Sequence, residues 1–128
     1  MSRLGCLLAL TAVPLAVPLP ARAQEPKPDS LTVLAAITTP RSDLRNFVVA
    51  QEAYFADHAT YARFLRETAE IYKPTRGVTV VLLTASDLGH SEIAIDERVP
   101  GLVCAVYVGN AHPPLGSGAE GDVVCRGP

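Results

Sequence analysis

The sequence lacks an apolar run long enough to span a membrane. Its one candidate, residues 6–17, falls short of the roughly 20 residues a spanning helix needs, and Pro14, Pro18 and Pro20 break its far end. An excess of positive charge is also missing: 11 Lys and Arg stand against 13 Asp and Glu, for a formal net charge of −2. A nucleic-acid-binding surface is basic and clustered, so no nucleic-acid partner is expected. Compact metal-ligand spacing such as H-x-x-x-H is absent. His58, His90 and His112 are scattered, and exposed loop and strand-face positions account for them better than a metal shared with Asp57, Asp87 or Asp96. No glycine pattern fits a phosphate loop, because the glycines after Gly109 follow a predicted strand and precede no helix. There is no internal repeat. No cofactor is expected.

Catalytic pairings are equally thin. Ser91 beside His90 suggests nucleophile and base, but neighbours on a strand point to opposite faces. Asp96 and Glu97 share a predicted strand end, where a solvated edge that discourages pairing with other chains is the simpler reading. A general-acid pair needs one buried carboxylate, and nothing in the local sequence supplies it. The chain is therefore read as a non-enzyme.

What is present begins with a leader. Arg3, the apolar run and Ala21-Arg22-Ala23 form the pattern of a secretory signal peptide over residues 1–23, so export to a periplasm or cell surface of the Gram-negative type is expected. Its removal takes two arginines and no acid, leaving nine basic residues against 13 acidic ones, a net charge near −4. It also leaves two cysteines, Cys104 and Cys125. In an exported domain of this size such a pair is most simply a disulfide, closing a loop of about 20 residues and worth on the order of 3 kcal/mol.

Residues 24–40 read as a tether or linker, since QEPKPDS is polar and carries two prolines. For LTVLAAI, residues 31–37, a short helix capped by Ser30, a strand and a loose apolar arm all fit. Thr39 and Pro40 fit the cap and first position of the main helix; a helix that instead runs through should kink at Pro40. A globular domain is expected over residues 41–128. Leu44, Phe47, Val48, Gln51, Tyr54 and Phe55 recur at helical spacing and form an apolar stripe, ending near His58. A second, shorter helix follows, with Tyr61, Phe64, Leu65 and Thr68 on one face and the pairs Arg63/Glu67 and Arg66/Glu70 outside.

After Gly77 the period changes. VTVVLLT, residues 78–84, is apolar on both faces and reads as a central or doubly covered strand. Next, Ser91, Ile93 and Ile95 alternate with His90, Glu92, Ala94 and Asp96, as expected of a strand with one wet face. LVCAVYV, residues 102–108, is a third strand, and residues 122–125 a short fourth. The fold class is α+β: an N-terminal helix packed on a three- to four-stranded antiparallel sheet. The expected helix–sheet core is Leu44, Phe47, Val48, Tyr54, Phe55, Tyr61 and Phe64.

Several segments resemble bacterial type IV pilin-like and pseudopilin-like proteins. These are Leu44-Arg45-Asn46, then Gln51-Glu52-Ala53-Tyr54-Phe55-Ala56-Asp57, then Ala59-Thr60-Tyr61. Gly77-Val78-Thr79-Val80 is similar to the family's first strand and residues 89–94 to its second. Cys104-Ala105-Val106-Tyr107-Val108-Gly109, with Glu120-Gly121 ahead of Cys125, is similar to its last strand and disulfide-bounded C-terminal loop. The likeness covers residues 43–126. It departs at the other end, where filament-forming members carry Phe-Thr-Leu-Ile-Glu and a long apolar helix. The resemblance implies a pilin-like domain that acts by contacts with other protein subunits, pilin or secretion components, accessory to a type IV pilus or a type II secretion apparatus. A free-standing periplasmic module for a small ligand or peptide is the alternative. The candidate contact loop is the Gly- and Pro-rich stretch 109–121, with Asn110, His112, Pro113, Pro114 and Leu115.

Overall fold

The computed structural model describes residues 30–127, so the expected leader and the first part of the tether lie outside the described residues. Helix α1 runs Ser30–His58 as one element of 29 residues, about 44 Å long at 1.5 Å per residue. It therefore starts well inside the stretch expected to be a linker. Thr39 and Pro40 lie within the helix rather than at its start. Pro40 is fully buried, and its ring nitrogen can offer nothing to the carbonyl of Ala36. Tertiary packing compensates: Ala36 and Ile37 join Val99, Leu102 and Cys125 in a small apolar cluster beneath the first half of the helix. The helix stops where expected, with Ala59 at φ 55° donating its N–H to the Phe55 carbonyl at 2.8 Å.

Beyond it the expected second helix shrinks to a single 3-10 turn, Leu65–Thr68. The cause is Glu67. Its carboxylate accepts the backbone N–H groups of Arg63 and Phe64 at 2.7 and 2.9 Å, which stops the chain short rather than pairing with the Arg63 side chain. The sheet follows as a meander in the order β1-β2-β3-β4, all neighbours antiparallel: β1 Val78–Ala85, β2 Gly89–Asp96, β3 Val103–Gly109 and β4 Val124–Arg126. This is the α+β architecture read from the sequence, with one long helix on a four-stranded sheet. Cys104 and Cys125 face each other in the β3–β4 register, with Cα atoms 3.9 Å apart, and form a disulfide.

The main core lies between α1 and the inner face of the sheet. Leu44, Phe47 and Ala50 from the helix meet Val78, Val80, Ala94, Cys104 and Val106, with Tyr72 and Val123 closing the ends. Two buried polar side chains of α1 fasten this layer. Asp43 accepts from the backbone N–H and hydroxyl of Thr75 at 2.9 and 2.8 Å, ahead of β1. Gln51 clasps Ala62 with both ends of its amide, donating at 3.0 Å and accepting at 2.8 Å.

One strand reading is corrected and another is completed. β1 is an edge strand, not a central one, and Val81 and Leu83 on its outer face are exposed. In β2 the alternation left open which face is dry, and the structure decides it. His90, Glu92, Ala94 and Asp96 point at the helix and are buried, whereas Ile95 is 37% exposed on the outer face. Alternation identified two faces correctly but not which of them the helix would cover.

Candidate functional site

Strand β2 starts and β3 ends at one corner of the sheet, where Gly89 and Gly109 pair and the backbones come close. A Cβ on Gly89 would stand 2.3 Å from the Val108 carbonyl oxygen, and one on Gly109, at φ +64°, 2.2 Å from that of Leu88. Only glycine fits at either place. The Asn110 N–H then donates to the Leu88 carbonyl at 2.9 Å, which ties the start of the 110–121 loop to the β1–β2 turn. Between them opens a cleft of about 340 Å³, lined by Thr84, Ala85, Ser86, Leu88, Gly89, Ser91 and residues 110–112.

No carboxylate, lysine or arginine side chain lines it. The Thr84 and Ser91 hydroxyls share a hydrogen bond of 2.8 Å, and the Ser86 hydroxyl accepts the Leu88 N–H at 3.1 Å. Asn110 and His112 are exposed on the loop side. Such a lining suits a neutral polar group. His90 is not a base for Ser91, because its ring is on the opposite face of the strand and bonded to Glu92.

The loop itself is held at several points. The Gly109 N–H donates to the Glu120 carboxylate at 2.7 Å, the Gly121 N–H to the Tyr107 carbonyl at 2.9 Å, and the Arg126 guanidinium to the Ser117 hydroxyl at 3.2 Å. Together with the disulfide these contacts set its shape in advance. Of the predicted loop residues, Asn110 and His112 line the cleft, while Pro113, Pro114 and Leu115 stand outside it, half-buried. The Pro113 carbonyl accepts the Gly116 N–H at 2.9 Å in a local turn.

Beneath the corner, on the helix side, lies a buried pair. His90 Nδ1 and Glu92 Oε2 are 2.8 Å apart with both side chains fully buried. Burial pushes the Glu92 carboxyl above the usual carboxylate range, and the hydrogen bond and charge of His90 oppose that only in part. Tyr61 packs its ring 4.5 Å from that of His90 and donates its hydroxyl to Glu52 at 3.0 Å. Desolvation, followed by that hydrogen bond, pushes the Tyr61 phenol up to about 12. Burial raises the Tyr72 phenol too, with Asp43 and Glu92 adding to the effect. At the far end of β2, Asp96 is buried and bonded to Arg98, which holds its carboxyl below the usual range. The solvated acidic edge expected of Asp96 and Glu97 is thus half wrong, since only Glu97 is exposed.

The predicted core residues divide. Leu44 and Phe47 are fully buried and Val48 packs against them. Tyr54 stacks on His58 at the helix end with centroids 3.9 Å apart, and Phe55 lies 4.7 Å from Tyr61. Phe64 is outside the core, 51% exposed under the Arg66 guanidinium. The buried His90–Glu92 pair escaped the sequence reading. The available signal was Gln51, a polar residue inside an apolar stripe, which marks a helix face that accepts buried hydrogen bonds.

Among the described residues no group of three His, Cys, Asp or Glu side chains gathers at metal-binding distance, and no helix is long and apolar enough to cross a membrane. No protein-family profile matches the chain, and no curated protein matches it in sequence.

Proposed function

We propose that this chain is an exported, non-catalytic pilin-like domain that acts by contacts with other protein subunits, as an accessory to a type IV pilus or type II secretion apparatus. The observation that carries this reading is the 109–121 loop. It is exposed along 116–122, closed by the Cys104–Cys125 disulfide, and fixed by bonds from Gly109, Gly121 and Arg126, so a partner meets a surface already in shape. The helix followed by a four-stranded meander is the order of parts that the resemblance implies. In cells carrying the native assembly, a photo-crosslinking residue at Ser117 is expected to capture a discrete protein partner. Recovery of the chain only as an uncrosslinked monomer overturns the reading.

The cleft supports a second reading, a binding module for a neutral small ligand or peptide end. Its lining of hydroxyl, amide and imidazole groups at about 340 Å³ favours it. A thermal-shift screen of neutral polar compounds should then give hits that His112→Ala and Asn110→Ala abolish.

A further inference from the structure

The free edge of β1 and strand β4 occupy opposite ends of the strand order, and the contact loop meets β1 only at its last residues, Thr84 and Ala85. The Gly77 carbonyl accepts the Glu97 N–H at 2.9 Å, which sets the phase of the ladder. Thr79 and Val81 therefore bond to β2, and Val80 and Leu82 turn their N–H and C=O groups outward. Among the described residues nothing bonds to those groups. The strand carries no charge and no proline, the usual devices that blunt an edge. Beside it runs an open cleft of about 380 Å³, floored by Val80, Val81 and Leu82 and walled by residues 63–66.

The wall is cationic and aromatic. Arg66 lies 4.1 Å above the exposed Phe64 ring, and among the described residues neither Arg63 nor Arg66 takes part in an ion pair. Glu67 bonds the backbone N–H groups of Arg63 and Phe64 and so shapes this wall from behind.

We propose that the β1 edge takes up an extended segment of a partner protein, with alternating apolar and acidic side chains, as a fifth strand. The outward amides of Val80 and Leu82 would supply the backbone pairing, the cleft floor the apolar contact, and Arg63 and Arg66 the charge that selects carboxylates. A second copy of this chain fits less well. Antiparallel pairing of β1 with itself sets Arg63 and Arg66 of both copies along one seam, where like charges repel.

The test uses the full chain and a fluorescent peptide of alternating valine and glutamate, about eight residues to match β1. Fluorescence anisotropy should show saturable binding that weakens with added salt. The exposed double variant Arg63→Glu/Arg66→Glu should keep its melting temperature and bind about tenfold more weakly or worse. N-methylation of alternate peptide amides should abolish binding, and lysine in place of glutamate should do the same. Failure of the wild-type chain to bind, equal binding of the lysine peptide, or full affinity in the double variant overturns the proposal. So does a dimer, seen by sedimentation, that excludes the peptide. Crosslinks at Ser117 report on the loop separately, so either site can fail while the other stands.

Discussion

The two faces of the sheet differ in a way that residue type alone would assign backwards. The inner face of β2 carries His90, Glu92 and Asp96, all fully buried; the outer face carries Ile93 and Ile95, and Ile95 is more than a third exposed. On β1 the same outer face shows Val81 and Leu83 to solvent. Burial here follows from what lies above each face. Helix α1 covers the inner side, with Ala50 and Ala94 small enough to bring helix and strand close, while the loop after β3 bonds to Tyr107 and Arg126 and reaches β1 and β2 only at the corner of Thr84, Ala85 and Ser91. The polar row inside is paired in part: His90 Nδ1 meets Glu92 Oε2 and Asp96 meets Arg98, while His90 Nε2 and Glu92 Oε1 are buried without a partner among the described residues.

The sharpest way to break this contrast is to remove half of the inner pair. Glu92→Ala leaves the His90 ring buried without its partner and should cost about 3–5 kcal/mol in urea denaturation. The double variant His90→Leu/Glu92→Met should recover most of that loss or exceed wild type, because an apolar pair of similar volume suits the site. A double variant as unstable as Glu92→Ala would mean that the inner face needs the polar pair as such.

Next in size is the disulfide. Reduction of Cys104–Cys125, 21 residues apart, should lower stability by about 3 kcal/mol in denaturant titrations and loosen the loop before the helix–sheet core. Hydrogen exchange would then show residues 110–121 losing protection first. Equal loss in α1 would make the two regions a single cooperative unit.

A smaller, pH-dependent effect is expected at Asp96. Its carboxyl is lowered by Arg98, so its stabilising contribution is full above the unfolded value of about 3.9 and disappears as pH falls through the lower folded value. Asp96→Asn should therefore melt below wild type at pH 7, and the gap should close in strong acid. A gap that persists unchanged at low pH would assign the effect to packing. The outer face should respond least: Leu83→Thr is expected to change stability by no more than about 0.5 kcal/mol, measured by thermal melting. A loss as large as that of a core substitution would show that this face is covered.

Much of the architecture could be read from local patterns. The stripe through Leu44 and Phe47 marked the buried side of the helix, the change of period after Gly77 marked the sheet, and the pair of cysteines after residue 100 marked the cross-link. The start of the helix was not legible, because LTVLAAI suits several conformations and a proline follows it. Only the apolar cluster with Val99 and Leu102 selects the helix there. Phe64 misled for a related reason. Its helical spacing from Tyr61 and Thr68 carried no weight once Glu67 bonded the backbone and ended the helix before it could form. At the candidate site the loop could be read from composition, and Asn110 and His112 fall on the cleft, but the other wall comes from the β1–β2 turn, about 20 residues earlier in the chain.

By itself the sequence determined the main helix, the strands and their order, and the bond between Cys104 and Cys125. Periodicity and turn chemistry act over a few residues, and only two thiols lie in the described domain. The tertiary structure decided which face of β2 is dry, which edge of the sheet stays open and where the helix begins. Those outcomes depend on which distant surface comes to rest against each segment, and that is a property of the packed whole.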